Sequence, residues 1–396
     1  MKDKERLILM NKDDEVLSFS VNYVDPEIHI LEKLEHFEKA PYKLLHREGN
    51  LDIHLFRFFN VRTINSNRSD HDEIIKATNC RNSFELSFKG HGLSLSDHFW
   101  VKREGENLKY KDINFFTNKW DDSFAKAVLK RDYEALKNCD LNVPDIVTPG
   151  WGIKGWIYED LPRLYKLGID NECSDECIAE VLASRLGQRL LKENEITKYE
   201  LKKVGEKYAS VSSLMINFDE ELVPLSNFMP AETYSLYLGK SQDKNLDKKF
   251  FEKIKEFGMP ELYEFFVKLS VLRSLCFVSD LHFENISLIK NTKTNKFRVA
   301  PIYDLGGAFG SSKSGRNLLS KPNKGLYLLI YFLYNNLDPN WDYSWYDPKK
   351  LVGFENEIKE FLSKSEFYTP EIIERVIAVY QMQKESLDKF AKCHNQ

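Results

Sequence analysis

The chain has 396 residues, of which 42% are hydrophobic and 13% aromatic. This length is more than one average domain needs and is comfortable for two or three domains with sizeable cores. Charged residues make up 30% with both signs interspersed, and the formal net charge is −4, so the sequence shows no strongly basic domain or stripe of the kind expected for direct nucleic-acid binding. A partner that itself binds nucleic acid stays open.

Cysteine usage and hydropathy predict a soluble, cytoplasmic protein. The close pair Cys173 and Cys177 has no second Cys/His pair nearby, which favours free thiols of a reducing compartment over a zinc site. The N-terminal apolar run is short and broken by charge, so no signal peptide is expected. The longest apolar stretch, Leu326 to Tyr334, is too short to span a bilayer.

Residues 1–138 are predicted to form a mixed α/β domain of unknown role. Strand character extends over Arg6 to Met10 and over Glu15 to Val21, with a turn between them. Apolar residues at helical spacing predict a helix over Ile28 to Phe37, and a second helical stretch covers Asp122 to Asn138.

Two further features of this domain concern its surface and its contacts. Arg57, Arg62 and Arg68 follow an aromatic run, and they are interpreted either as an anion-binding face or as an ordinary solvated loop surface. The segment His91 to Trp100 combines turn residues with bulky aromatics, which predicts a packed junction.

Residues 139–222 are predicted to form a small β-rich lobe and residues 223–396 a large helical lobe. The chain is therefore predicted to be an α+β protein with a bilobal, protein-kinase-like layout behind its N-terminal domain. The expected elements are strands at Trp156 to Tyr158, Leu164 to Leu167, Tyr199 to Val204 and Ala209 to Ile216, and helices from Asp175 to about Leu191, over Glu261 to Cys276, and from Thr369 and Pro370 onward.

The stretch from Ser279 to Leu288 carries the pattern with most chemical content. A helix leads into Asp280, and a strand leaves after Asn285. A turn and a second strand then end at Asp304. Phosphoryl transfer needs a carboxylate that orients the attacking hydroxyl and oxygen ligands for metal ions on the phosphates, and magnesium prefers such hard ligands. Ordinary capping by an Asp and an Asn at a helix-to-strand turn is the alternative interpretation.

These residues also resemble a known family. The run Asp280-x-His282-x-x-Asn285, followed by Tyr303-Asp304-Leu-Gly, is similar to the catalytic and metal-binding loops of HipA-like kinases, and phosphoinositide kinases carry a related pair of loops. The resemblance touches most of the chain, but only these two loops are specific.

The resemblance implies an ATP- and Mg²⁺-dependent serine/threonine protein kinase. Asp280 would be the catalytic aspartate, Asn285 and Asp304 the magnesium ligands, and His282 a brace for the loop. Some members are toxins neutralised by an antitoxin, so the expected partners are a protein substrate or an antitoxin-like protein. The chain departs from the family where Leu281 follows the aspartate in place of the frequent arginine.

The nucleotide side rests on a lysine, a glutamate and a glycine-bearing loop. Lys166 ends a predicted strand and Glu180 lies on the next helix, which is the usual kinase arrangement for a lysine that binds phosphates. Lys154, inside the loop, is the rival lysine. The loop glycines would let the backbone approach phosphates, although a plain turn explains them equally well. They are Gly150, Gly152 and Gly155. The hinge that bonds adenine is placed at Met215 to Phe218.

Two other functions are weighed against the protein kinase. The first is a kinase that acts on a small molecule or a lipid headgroup, because Asp280 would serve any acceptor hydroxyl. The second is a non-catalytic pseudokinase that binds a nucleotide or a protein. The intact set of lysine, aspartates and asparagine argues against the second.

Overall fold

The computed structural model describes residues 3–46, 48–168, 175–228, 252, 254–278, 283–311, 315, 319 and 343–394, and the structural statements below concern these residues. The chain divides into two compact units. The first unit comprises Met1–Asp170, Ile216–Leu222 and Asn291–Thr294, and the second comprises Asn171–Met215, Val223–Lys290 and Asn295–Gln396. The predicted boundary at residue 138 lies inside the first unit, and the lobe division stays a prediction.

Four strands of the first unit are β1 Lys4–Asn11, β2 Asp14–Asn22, β3 Glu27–Lys33 and β4 Phe99–Arg103. They form an antiparallel sheet with the order β3-β2-β1-β4. Leu7 pairs with Phe19 and Leu9 with Leu17, and all four side chains are buried. Alternation of buried and exposed residues thus directs one face of β1 and β2 into the core, and the two predicted strands are confirmed.

The helix predicted over Ile28 to Phe37 is wrong, because most of this segment forms the edge strand β3. Ile28 is buried opposite Val21, whereas its neighbours Glu27 and His29 are exposed. The apolar residues fit a helical period and a strand period equally well over so short a run. Hydrogen bonding to β2 selects the strand.

Short helices cover this sheet. Phe59 of the second helix stacks on Phe19 of the sheet with ring centroids 5.7 Å apart. The stretch predicted as one helix over Asp122 to Asn138 is interrupted at Arg131, whose backbone is left-handed with φ 59°. The helices are α1 Tyr42–His46, α2 Leu51–Asn60, α3 His71–Ala77, α4 Ser83–Lys89, α5 Tyr110–Ile113 and α6 Ser123–Lys130, and the 3-10 helices are Phe37–Lys39, Ala135–Asn138 and Pro144–Val147.

Two of the three arginines form neither an anion-binding face nor a solvated surface. Arg68 is buried and makes a two-pronged ion pair with Asp70, with N–O distances of 2.6 and 2.9 Å. Arg62 is buried as well and pairs with Asp97. Buried charges need partners of this kind. Both interpretations are therefore wrong for Arg62 and Arg68, and only Arg57 is exposed.

The predicted packed junction at His91 to Trp100 is confirmed, since His98 and Trp100 are both fully buried. His98 Nδ1 lies 2.7 Å from the Tyr110 hydroxyl. Burial, and after it the Lys12 ammonium, lowers the pKa of His98 to about 4, while Asp97 and Asp219 oppose this shift.

This low pKa predicts a loss of stability in acid. In the unfolded chain His98 binds a proton below about pH 6.5, whereas in the folded chain it stays neutral down to about pH 4. The contribution of His98 is therefore complete above pH ~6.5 and falls with pH, by about 2 kcal/mol at pH ~5. We expect His98→Asn to show a correspondingly smaller drop in the free energy of unfolding between pH ~7.5 and ~5 in urea denaturation. Equal drops in variant and wild type would contradict the assignment.

The first unit also contains a β-hairpin whose two strands confirm the prediction. They are β5 Ile153–Tyr158 and β6 Pro162–Gly168. The Asp145 carboxylate accepts a hydrogen bond from the Trp156 amide at 2.7 Å and so satisfies a backbone donor of β5. Burial raises the pKa of the Asp145 carboxyl to about 7.

The second unit combines a helical core with short antiparallel ladders. Four of its helices contact one another around buried residues such as Leu182, Leu272 and Tyr380. Its elements are α7 Glu176–Leu190, β7 Glu200–Val204, β8 Lys207–Ser213, β9 Glu220–Pro224 (which begins in the first unit), α8 Pro260–Cys276, β10 Ser287–Asn291, β11 Phe297–Val299, α9 Phe354–Leu362 and α10 Pro370–His394, with 3-10 helices Leu225–Asn227, Phe283–Asn285 and Pro348–Leu351. The predicted helices and strands of this part are confirmed, with bounds shifted by a few residues.

The fold is thus α+β, with its strands in antiparallel sheets and hairpins. The cysteine side chains that the structure describes are thiols without a disulfide bond, at Cys80, Cys139, Cys177 and Cys276. None of the described helices has both the length and the apolar character that crossing a bilayer would take.

Candidate functional site

The hairpin β10–β11 brings the two predicted metal-binding positions to one end of the same ladder. Leu288 pairs with Val299, and Lys290 with Phe297. The side chain of Asn291 accepts hydrogen bonds from the amides of Lys293 and Thr294, at 3.0 and 2.9 Å, and so closes the turn. Residues just before β10 therefore lie beside residues that follow β11.

Tyr303 joins the two loops directly. Its hydroxyl lies 2.7 Å from Ser287 Oγ and donates a hydrogen bond to the carbonyl oxygen of Glu284 at 3.3 Å. These two partners lie on either side of Asn285 in the chain, and Asp304 follows Tyr303. Asn285 and Asp304 are both half-buried. Tyr303 directly precedes Asp304, so its hydroxyl connects the segment around Asn285 to the loop that carries Asp304.

Asp304 has an uncommon backbone conformation. Its φ of 58° lies in the left-handed region, which is uncommon for residues other than glycine, although aspartate and asparagine adopt it more often than most. Its amide donates a hydrogen bond to the Tyr199 hydroxyl at 3.3 Å. Backbone strain that the surrounding structure maintains is concentrated at functional sites. The backbone of Asp304 is thus held in a defined conformation, and a functional role for its carboxylate stays a prediction.

The loop after Asp304 is anchored on two helices. The Phe309 amide donates to the carbonyl of Cys276, in the last turn of α8, at 2.8 Å. The Tyr368 hydroxyl, just before α10, donates to the carbonyl of Phe309 at 3.2 Å. Ser311 donates through its hydroxyl to the carbonyl of Gly306. These bonds fix the chain that carries Asp304.

The predicted catalytic residues Asp280 and His282 lie outside the described residues. The last two described residues before them are Phe277 and Val278. Phe277 packs edge-on against Phe309, with ring centroids 5.6 Å apart, and Val278 is buried. The chain after them begins at Phe283, which is buried too. Both sides of the segment 279–282 are therefore anchored in the core of the second unit, one of them beside the Asp304 loop.

The two rival lysines are direct partners in the first unit's hairpin. Lys154 on β5 is paired with Lys166 on β6, and Trp156 is paired with Leu164. Residues paired across an antiparallel ladder project on the same side, as do residues two apart along a strand. One face of the hairpin therefore carries both ammonium groups next to two half-buried apolar side chains. Lys154 and Lys166 need not be alternatives.

The three loop glycines have different surroundings. Gly150 is left-handed with φ +104°, and a Cβ built there would lie 2.4 Å from Nζ of Lys154. A Cβ at Gly152 would meet the backbone of Gly168 at 3.3 Å, and one at Gly155 would meet Ala125 of α6 at 2.9 Å. Close packing against α6 thus accounts for Gly155. Phosphate contact stays a prediction for the glycine loop.

Glu180 and Met215 lie in the second unit, whereas Phe218, at the other end of the predicted hinge, lies in the first. Glu180 is buried in α7 and accepts a hydrogen bond from the Ser210 hydroxyl. Met215 belongs to the second unit, where its sulfur accepts a bond from Thr197 at 3.4 Å. Phe218 belongs to the first unit. The chain therefore passes from one unit to the other within the predicted hinge, and pairing of Glu180 with Lys166 stays a prediction.

The sequence analysis missed two residues that contact the predicted site segments: Tyr199, which bonds Asp304, and Lys12, which bonds Thr292 in the turn of the β10–β11 hairpin. Both act through contacts with residues far away in the chain, as the bond between Tyr199 and Asp304 shows. No local pattern marks Tyr199. A lysine at a tight turn, such as Lys12, is the one signal that the sequence offered.

Comparison with known proteins shows the fold. No family model matches the sequence, and no curated protein matches it. Among solved structures, the chain is similar to HipA of Shewanella oneidensis MR-1, from a toxin–antitoxin complex of HipA, HipB and operator DNA. The TM-score is 0.51 at 12% identity, covering 98% of this chain and 99% of that chain. The chain therefore shares its fold with HipA over nearly the full length of both.

A second similar structure is a proinflammatory kinase, CtkA, of Helicobacter pylori. The TM-score is 0.39 at 15% identity, covering 62% of this chain and 92% of that chain.

Proposed function

We propose that this chain is an ATP- and Mg²⁺-dependent phosphotransferase, and specifically a HipA-like serine/threonine protein kinase. The observation that carries the proposal is the link from Tyr303 to both sides of Asn285, which sets two oxygen-bearing side chains at one end of a hairpin. The fold that this chain shares with HipA supports the proposal of a HipA-like kinase architecture. In the proposed enzyme, residues 139–222 would form the small lobe and residues 223–396 the large lobe.

Asn285 and Asp304 would hold the magnesium ion through their side-chain oxygens. Both are half-buried, and oxygen donors of this kind suit magnesium, which keeps water and phosphate oxygens in its other positions. The ion, when bound, neutralises charge on the β- and γ-phosphates. The left-handed backbone of Asp304 and its bond to Tyr199 preset the direction of one ligand.

Lys154 and Lys166 would bind the phosphates from the hairpin face that they share. Two like charges paired directly across a ladder repel each other, and the negative charge of a bound phosphate would offset that repulsion. Trp156 and Leu164 on the same face offer apolar surface to the rest of the nucleotide. Glu180 would orient a lysine, and Met215 to Phe218 would bond the adenine.

Asp280 would act on the acceptor. Its carboxylate would orient the attacking hydroxyl and accept the proton as the oxygen bonds to the γ-phosphorus and ADP leaves. His282 would brace the loop without exchanging protons. A small-molecule or lipid headgroup acceptor would use the same carboxylate. Incubation with labelled ATP and magnesium, with and without protein acceptors, tests the choice: label on protein supports a protein kinase, and absence of any turnover supports a pseudokinase.

An antitoxin-like protein is the partner that we propose besides the substrate. The structure that shares this fold holds HipA together with HipB and operator DNA. The absence of direct nucleic-acid binding by this chain rests on its charge balance alone and stays a prediction. Co-purification of the chain with the product of a neighbouring gene tests the partner.

Tyr303→Phe should weaken magnesium use more than it weakens the fold. The variant loses the hydroxyl that bonds Ser287 and Glu284, so the segment around Asn285 is no longer held beside Asp304. We expect the Mg²⁺ concentration for half-maximal rate to rise about tenfold, which corresponds to a loss of about 1.4 kcal/mol of positioning. A titration of activity with magnesium measures it.

Tyr346→Phe is the matched control. Tyr346 lies in the same unit, is buried, and donates to Asp388 at 2.8 Å. Its variant should lose about 1 kcal/mol of stability, as the Tyr303 variant does, without a change in magnesium dependence. Equal magnesium curves for both variants would argue against the role of Tyr303.

A further inference from the structure

Lys12 occupies a position that lysine rarely takes. It lies in the two-residue turn between β1 and β2, where Asn11 is paired with Asp14. Its φ is 51°, in the left-handed region. Glycine, asparagine and aspartate are the usual residues at positive φ in such turns, because a longer side chain adds steric strain. The lysine at this position calls for an explanation in its side chain.

The surrounding residues fix the backbone of the turn. The Lys12 amide donates to the carbonyl of His98 at 3.2 Å. The Trp100 indole donates to the carbonyl of Lys12 at 2.7 Å. The next residue, Asp13, accepts a hydrogen bond from the Tyr110 amide at 2.9 Å. Because the turn is bonded on both sides, the direction in which the Lys12 side chain leaves it is set.

The side chain of Lys12 contacts two segments that are distant in the sequence. Its ammonium donates to the Thr292 hydroxyl at 3.2 Å and lies 4.6 Å from the centroid of the Phe218 ring. Both segments, 216–222 and 291–294, belong to the first unit although the chain on either side of them belongs to the second. Lys12 thus connects the N-terminal turn to both segments, by a hydrogen bond to one and a cation–π contact with the other.

The two segments are also bonded to each other and to the N-terminal domain. The Thr292 amide donates to the carbonyl of Asp219 at 2.8 Å, and the Leu222 amide donates to the carbonyl of Ser96 at 2.7 Å. Lys293 forms an ion pair with Asp219 at 2.7 Å. The ring of Phe218 packs on aromatic rings of the domain at centroid distances of 5.7, 6.1 and 6.4 Å, those of His98, Tyr110 and Phe116.

These segments have a particular position in the proposed enzyme. Segment 216–222 begins within the proposed adenine hinge, and segment 291–294 is the turn of the hairpin whose other end carries Asn285 and Asp304. We propose that Lys12 is a positioning residue, through which the N-terminal domain holds the hinge segment and the turn of the metal-binding hairpin in their working arrangement. The inference rests on the proposed kinase function and gives residues 1–138 a role in it.

Lys12→Gly in the full chain separates positioning from folding, because glycine adopts the left-handed turn without strain. We expect an unchanged or higher melting temperature. Amide hydrogen exchange in segments 216–222 and 291–294 should become about tenfold faster, since local opening no longer breaks the two lysine contacts. The control is Lys33→Met, which removes a comparable contact of an ammonium with Phe37 at 4.3 Å in the same domain. Unchanged exchange, or equal acceleration by Lys33→Met, would overturn the inference.

Kinetics add a readout that simple unfolding would not move. In Lys12→Gly, the KM for ATP and the Mg²⁺ concentration for half-maximal rate should both rise about tenfold, whereas a partly unfolded population would lower kcat alone. Lys12→Arg should restore most of the affinity, because a guanidinium also donates to Thr292 and stacks on Phe218. A lower kcat with both constants unchanged would overturn the positioning role. Absence of turnover in the wild type would refute the kinase, while the exchange data would still decide whether Lys12 fastens the two segments.

Discussion

Asp280→Asn should reduce phosphoryl transfer by about a thousandfold or more and leave the fold intact. An amide cannot accept the proton of the attacking hydroxyl, and general-base catalysis alone contributes about 10²- to 10⁴-fold. Amide and carboxylate are nearly isosteric. The flanking residues Val278 and Phe283 are buried and unchanged, so we expect the melting temperature to remain that of the wild type. Steady-state phosphorylation of a protein acceptor measures the effect.

Glu284→Gln is the matched control for this variant. Glu284 is an exposed carboxylate in the same stretch, and its backbone carbonyl, which the substitution keeps, is the group that bonds Tyr303. The control removes a negative charge close to the site but should retain transfer. The Asp280 variant should also still bind ATP with magnesium, because Asn285 and Asp304 are unchanged. Wild-type activity of Asp280→Asn would refute its assignment as the catalytic residue.

Asp304→Ala should abolish magnesium-dependent nucleotide binding. Saturating ATP and magnesium should stabilise the wild type by about 2.7 kcal/mol at a hundredfold excess over Kd, which raises the melting temperature by several degrees in a chain of this size. The variant lacks one of two protein ligands, so we expect that increase to disappear. Thermal unfolding with and without ATP and magnesium measures it.

Asp304→Gly separates the lost ligand from the altered backbone. Asp304 has a φ of 58°, which glycine adopts at little cost and alanine does not. Without ligand, the glycine variant should therefore melt at or above the wild-type temperature, and the alanine variant below it. Both should lack the shift caused by ATP and magnesium. A shift that persists in the glycine variant would contradict the metal role of Asp304.

The parts of the fold that sequence predicted well are those with local causes. The strands of the β1–β2 and β5–β6 hairpins and the start of α10 at Pro370 follow from alternation, turn residues and capping within a few positions. The edge strand β3 was missed because its apolar residues satisfy two periods at once. Arg62 was misjudged because its partner Asp97 is 35 positions away. For Arg68, the carboxylate two residues later was an overlooked signal.

The candidate site divides in the same way. The positions of Asn285 and Asp304 at one end of a hairpin were predictable because that hairpin is local in the sequence. Their role as metal ligands stays a prediction. The pairing of Lys154 with Lys166 was predictable as well, because both lie in one short hairpin. They were weighed as rivals since the register of that hairpin was not considered. Lys12 bonds Thr292 across 280 positions, and no local pattern reports such a contact.

The central claim is that the side-chain oxygens of Asn285 and Asp304 share one magnesium ion with the phosphates of a bound nucleotide. A crystal structure of the chain with a non-hydrolysable ATP analogue and magnesium tests it most directly. We expect the ion within about 2.1 Å of an oxygen from each of the two side chains, with phosphate oxygens completing its shell. A nucleotide bound elsewhere, or an ion that neither residue touches, would contradict the account.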